Sequence, residues 1–114
     1  RSERVTRLER LGLEVSAYTL LGSRAQAAML CALIDAKGAL LSWRQLASAR
    51  PWKMRSDEGG AQVVKTRVCL LRHSMDDIGL GGLIQTGGRK EGVAYCLPEP
   101  GRTVVLNRLI AEAA

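Results

Sequence analysis

No apolar run in this sequence approaches the roughly 18 to 20 residues needed to cross a bilayer, and none reads as a secretory hydrophobic region. Cysteine is scarce and scattered, because Cys31, Cys69 and Cys96 form no CxxC pair. An odd, unclustered set fits reduced thiols in a cytoplasmic protein. Histidine is rarer still. His73 is the single one, so Cys69 and His73, four apart, make half of a zinc site with no second half. Catalytic sets are also missing: there is no Ser-His-Asp combination, no phosphate-binding glycine loop and no metal spacing. Asp76 and Asp77 follow His73 closely, but acids at a helix C-terminus are usually solvated and slightly unfavourable there. The expectation is a protein with no cofactor, no metal and no enzymatic activity.

What is present is ordinary globular composition, with 46% apolar and 25% charged residues among 114. That length buries one modest core. The chain opens on Arg1 and not on Met, as a piece of a longer protein would. Seventeen Lys and Arg against eleven Asp and Glu leave a net charge of +6 and a pI near 9.8. The stretch from Ser42 to Gly92 carries nine basic and five acidic residues. Such a balance favours a polyanionic partner, nucleic acid before anionic membrane.

Hydrophobic spacing divides the chain. Val5, Leu8 and Leu11 predict a short amphipathic helix ending at Gly12, after which the weak alternation of "LEVSAYTL" predicts a strand or structured linker. Ser23 and Gln26 then form a capping-box pattern, and Ala27, Leu30, Cys31 and Ile34 share one helical face before the Lys37-Gly38 cap. Ser42 and Gln45 repeat the box, with Leu41 placed to staple onto Leu46, so a short helix is expected from Trp43 to Ala49. Pro51 forbids its continuation. After a polar loop of about ten residues (an order set by its composition), a long helix is expected from Gly60 or Ala61 to Asp77. Val64, Val68, Leu71 and Met75 form its buried stripe. Gly79, Gly81 and Gly82 break the chain before a hairpin with Val93, Tyr95 and Leu97 inward and Ala94 and Cys96 outward. Ala39 to Leu41 is the candidate third strand. Beyond Pro98 and Pro100, Val105, Leu106, Leu109 and Ile110 mark a terminal helix that packs on the domain or pairs with a second subunit.

The expected fold is therefore α+β: a winged helix-turn-helix with a three-helix core and a small antiparallel sheet, flanked by short N- and C-terminal helices. Residues 1–19 form the leading segment, 20–98 the domain and 99–114 the closing linker and helix. With its stripe turned inward, the long helix presents Gln62, Lys65, Thr66, Cys69, Arg72 and His73 outward or on its flanks. These residue types suit a major groove: Gln for adenine, Lys and Arg for guanine or phosphate, Thr for a thymine methyl. Arg89 and Lys90 add two cations at a glycine-bordered hairpin tip, which a narrow minor groove or its phosphates attract.

The segment "VVKTRVCLLRHSMDDIGLGGLIQTGGRKEGVAYCLPEP" resembles the second half of the OmpR/PhoB-type winged-helix DNA-binding domain. Leu71-Arg72-His73-Ser74-Met75 matches an L-R-x-x-L-like ending of that family's recognition helix. Ile84, Thr86, Arg89, Gly92, Ala94, Tyr95 and Leu97 approximate its I-x-T…R-G-x-G-Y-x-L closing strands. Ser42, Leu46 and Trp52 fall in register with its upstream segment. The likeness spans about residues 20 to 98, with a wing about two residues longer and Ala94 in place of a glycine. It implies a recognition helix in the major groove, a wing toward the minor groove and two copies on repeated half-sites. A short basic segment precedes the domain in place of a receiver, which implies a stand-alone relative. The expected function is sequence-specific binding of double-stranded DNA in transcriptional regulation. Phosphate contacts are assigned to Arg44, Arg50, Lys53, Arg55, Arg72 and Lys90, the tip to Arg89 and Lys90, and base reading to Gln62, Lys65, Thr66, Cys69 and His73. The competing expectation is a winged-helix protein-interaction module that contacts RNA polymerase or another regulator, with a homodimer through the terminal helices as a further assembly.

Overall fold

A computed structural model describes residues 7–48, 60–89 and 92–113, with the side chains of 7–11, 61, 89 and 113 outside the description. The elements in order are α1 (Arg7–Leu21), α2 (Arg24–Asp35), β1 (Leu41–Ser42), α3 (Trp43–Ser48), α4 (Gly60–Asp77), β2 (Gln85–Arg89), β3 (Gly92–Cys96) and α5 (Gly101–Ala113). This is an α+β chain with helices packed around one small antiparallel sheet of order β1-β3-β2. Tyr95 lies at its centre, paired with Leu41 on one side and Thr86 on the other. No helix among the described residues is long and apolar enough to cross a membrane.

Local chemistry sets the helix ends. Ser23 is in extended conformation and its Oγ accepts the Gln26 N–H at 3.3 Å, which starts α2. The return half of that capping box does not form, since Gln26 Oε1 is buried without a donor among the described residues. At α3 both halves form: Gln45 N–H reaches Ser42 Oγ at 3.2 Å, and Ser42 N–H reaches Gln45 Oε1 at 2.8 Å. The end of α4 is a Schellman motif. Gly79 takes φ +82°, its N–H bonds the Asp76 carbonyl, and the Leu80 N–H bonds the Met75 carbonyl at 2.8 Å. Leu80 and Met75 are both buried, which supplies the apolar contact this motif usually carries.

The core is one cluster. Leu30, Cys31, Leu33 and Ile34 of α2 meet Leu46 of α3, Tyr95 and Leu97 of the last strand and its exit, and Val64, Val68, Leu71 and Met75 of α4. Ala17 of α1 and Val105 and Leu109 of α5 complete it, with the two terminal helices packed against each other. Of the apolar residues expected to serve pairing at the C-terminal end, Leu109 is buried, Leu106 is half-buried and Ile110 stays exposed.

Two expectations fail here. The first helix does not end at Gly12, and "LEVSAYTL" is not a strand; α1 runs through both. Leu13, Ala17, Leu20 and Leu21 lie along one helical face and pack against the core, while Val15 is left exposed. That burial outweighs a helical glycine's cost of about 1 kcal/mol. The second concerns the hairpin. Gly87 and Gly88 are not part of a glycine loop at the tip but sit inside β2, opposite Ala94 and Val93, and Arg89 pairs with Gly92. Gly88 has φ +126°, and a Cβ there would collide with the Gly92 carbonyl oxygen.

The start of α5 gives a pH prediction. Glu99 accepts from the Thr103 hydroxyl at 2.7 Å and from the Thr103 N–H at 3.0 Å, and lies 3.6 Å from Arg102. The Thr103 hydroxyl, then its N–H, hold the Glu99 carboxyl below the usual 4.5. A lowered folded-state pKa contributes stability above 4.5 that is lost as pH falls through the lowered value. Acid titration of Tm should therefore show a fall in the parent below pH 4.5 that Glu99→Gln, lacking the carboxylate, does not share.

Candidate nucleic-acid interface

The outer face of α4 follows from its inner one. With Val64, Val68, Leu71 and Met75 each at most 1% exposed, the opposite arc holds Gln62, Thr66, Cys69 and His73, all exposed. Lys65 is exposed on the flank that also carries Arg72. The other flank carries Val63, Arg67 and Leu70, which with Gln62 and Thr66 line a hollow of about 310 Å³. Asp76 and Asp77 are exposed at the helix end and limit the polar, non-acidic part of the face to the turns before them.

The hairpin is joined to α4 at two points. At its base, Arg72 Nη2 donates to the Ile84 carbonyl at 3.1 Å and to Thr86 Oγ1 at 2.6 Å. The same guanidinium lies 5.9 Å from the centre of the Tyr95 ring. Burial raises the Tyr95 hydroxyl above its usual pKa, opposed by the Arg72 charge, and that buried hydroxyl has no hydrogen-bond partner among the described residues. At the tip end, the Trp43 indole lies between α4 and β3. A methyl group on Gly60 would sit 2.5 Å from Trp43 Cζ3, and one on Gly92 would sit 3.6 Å from its Nε1. Arg44 stacks its guanidinium 4.6 Å from the Trp43 ring centre while remaining exposed.

Together these contacts gather the first residue of α4, the first residue of β3 and Arg44 around one indole. Gln62, Lys65, Thr66, Cys69 and His73 project from the helix beside it. Arg72, assigned from the sequence to a phosphate, is half-buried and engaged with the hairpin. Arg89 closes β2 through its backbone pairing; its side chain, and Arg50, Lys53, Arg55 and Lys90, lie outside the described residues. Cys69 is exposed, Cys96 half-buried and Cys31 buried, and among the described residues no disulfide joins them. No group of three or more His, Cys, Asp and Glu able to hold a metal occurs among the described residues.

Sequence reasoning missed Thr86 and the bridging position of Trp43. From the sequence Trp43 reads first as a lid on the core, which it also is, being partly buried against the cluster. The available signal was Gly60, the glycine that opens the long helix. Arg72 and Thr86 carry no local signal, because their contact joins residues 14 apart. The chain matches no family model, and no curated protein or solved structure is significantly similar to it.

Proposed function

We propose that the chain is a winged-helix, double-stranded DNA-binding regulator of cytoplasmic type, non-catalytic, with α4 entering the major groove and the β2–β3 hairpin reaching toward the minor groove. The observation that carries this reading is the Trp43 bridge. One indole lies beside both Gly60 and Gly92, so the start of the polar helix and the first residue of β3 are held close together. A helix and a cationic strand pair held side by side match two adjacent grooves better than either matches alone. The +6 net charge adds long-range attraction to a polyanion. Asp76 and Asp77 favour docking through the earlier turns, where Gln62, Lys65 and Thr66 lie.

The test is fluorescence anisotropy with a random-sequence duplex pool over a salt series. With about five phosphates neutralised, log K should fall with log salt at a slope of roughly −4 to −5. Binding that is absent at low salt contradicts the proposal. A second reading, docking of RNA polymerase or another regulator, is favoured by Leu70. This residue is 51% exposed beside the hollow on α4, where a duplex offers it only thymine methyls. Tight capture of purified polymerase by a protein that binds DNA without sequence preference would support that reading instead.

A further inference from the structure

We propose that Arg72 is a positioning residue of this interface: it fixes the hairpin against α4 through Ile84 and Thr86 and does not itself neutralise a phosphate. The inference rests on the DNA-binding reading for its functional consequence, and on the hydrogen bonds for its mechanism. The connection from α4 to β2 includes Gly79 and Gly82, at φ +82° and +76°. Buried Leu80 and Ile84 anchor this connector to the core. Beyond it, two clamps hold the strands against α4. Trp43 holds the tip end, against Gly60 and Gly92. Arg72 holds the base, where one Nη donates to a main-chain carbonyl at 3.1 Å and to a hydroxyl at 2.6 Å.

Arginine suits this clamp for physical reasons. Its planar, permanently charged group offers donors in a fixed fork, whereas lysine presents a rotating point charge. Both acceptors are neutral, so the contact is directional and depends little on ionic strength. The half-buried position beside the Tyr95 ring keeps the guanidinium from swinging freely into solvent. A small change in hairpin direction at the base is magnified at the tip, where Arg89 and Lys90 act. Arg72 thus sets where those cations arrive.

The test pairs Arg72→Met with Thr86→Val, which removes the hydroxyl acceptor and leaves the Arg72 charge in place. Both should weaken duplex binding by about three- to tenfold. The double variant should be no weaker than the worse single one, as coupled neighbours require. The salt slope should be unchanged in all three, because no phosphate contact is lost. A slope shallower by about 0.9 in Arg72→Met, with Thr86→Val binding like the parent, overturns the proposal in favour of a direct phosphate contact. Should Arg72→Met not fold, parent-like binding by Thr86→Val still overturns it. Amide exchange of the free protein supplies an arm that needs no DNA. Thr86→Val should exchange faster across 85–96 and unchanged in α2, and unaltered hairpin exchange overturns the clamp. A parent protein that binds no duplex overturns the functional reading instead, and the exchange arm then still decides whether Arg72 holds the hairpin.

Discussion

Replacing Leu71 by alanine should lower the unfolding free energy by about 2–5 kcal/mol, the range for deleting a buried leucine side chain. Leu71 is 0% exposed and belongs to the α4 stripe, with Val68 one turn before it and Met75 one turn after. The deleted atoms lose their burial, and the cavity can close only if neighbours in the core cluster move together. A domain of this size has a total stability of about 5–15 kcal/mol, so the loss is a large fraction of it. Leu70 is the internal control. It is the adjacent residue on the same helix but is 51% exposed, and Leu70→Ala should change stability by less than about 1 kcal/mol. Chemical denaturation of the two variants measures the contrast directly. Equal effects would mean that α4 does not present the face described.

The second large effect concerns binding. Changing Lys65, Arg89 and Lys90 together to alanine should reduce duplex affinity by about two to three orders of magnitude near 0.1 M salt. Each phosphate contact contributes about 0.9 to the salt slope, hence close to one decade at that concentration. The slope itself should relax from roughly −4 or −5 to about −3, because Arg89 and Lys90 meet phosphates while Lys65 reads a base. Thermal stability should hold nearly constant, because Lys65 is exposed and surface substitutions usually change stability by about 0.5 kcal/mol or less. The same Tm with lost binding is the signature of an interface. Unchanged affinity in the triple variant would remove both the helix and the hairpin from the account.

Much of this fold is written locally. The Ser42–Gln45 capping box, the Val64–Val68–Leu71–Met75 stripe and the glycine after α4 each act within a turn or two, and each forms as the spacing predicts. Where the decisive partner is distant, local patterns fall short. Gly12 reads as a stop until α2 and α5 offer α1 a surface to bury against. The weak alternation around Val15 and Ala17 reads as a strand until the adjacent residues Ser16 and Ala17 both prove to be buried. Gly87 and Gly88 read as a loop although they lie within a ladder, because pairing with β3 restrains them. The same limit applies at the candidate interface. The outward residues of α4 follow from the stripe, but an arginine on a helix flank looks alike whether it faces phosphate, solvent or a carbonyl twelve residues on. Only the folded arrangement distinguishes these for Arg72.

The central claim is that the outer face of α4 and the β2–β3 hairpin form a single surface for duplex DNA. Backbone amide shift mapping during titration with a short duplex tests it most directly. The largest perturbations should fall on residues 62–73 and 85–92 and grow together as duplex is added. Perturbations centred on Val15, Tyr18, Val104 and Ile110 of the terminal helices, or none at all, would contradict it.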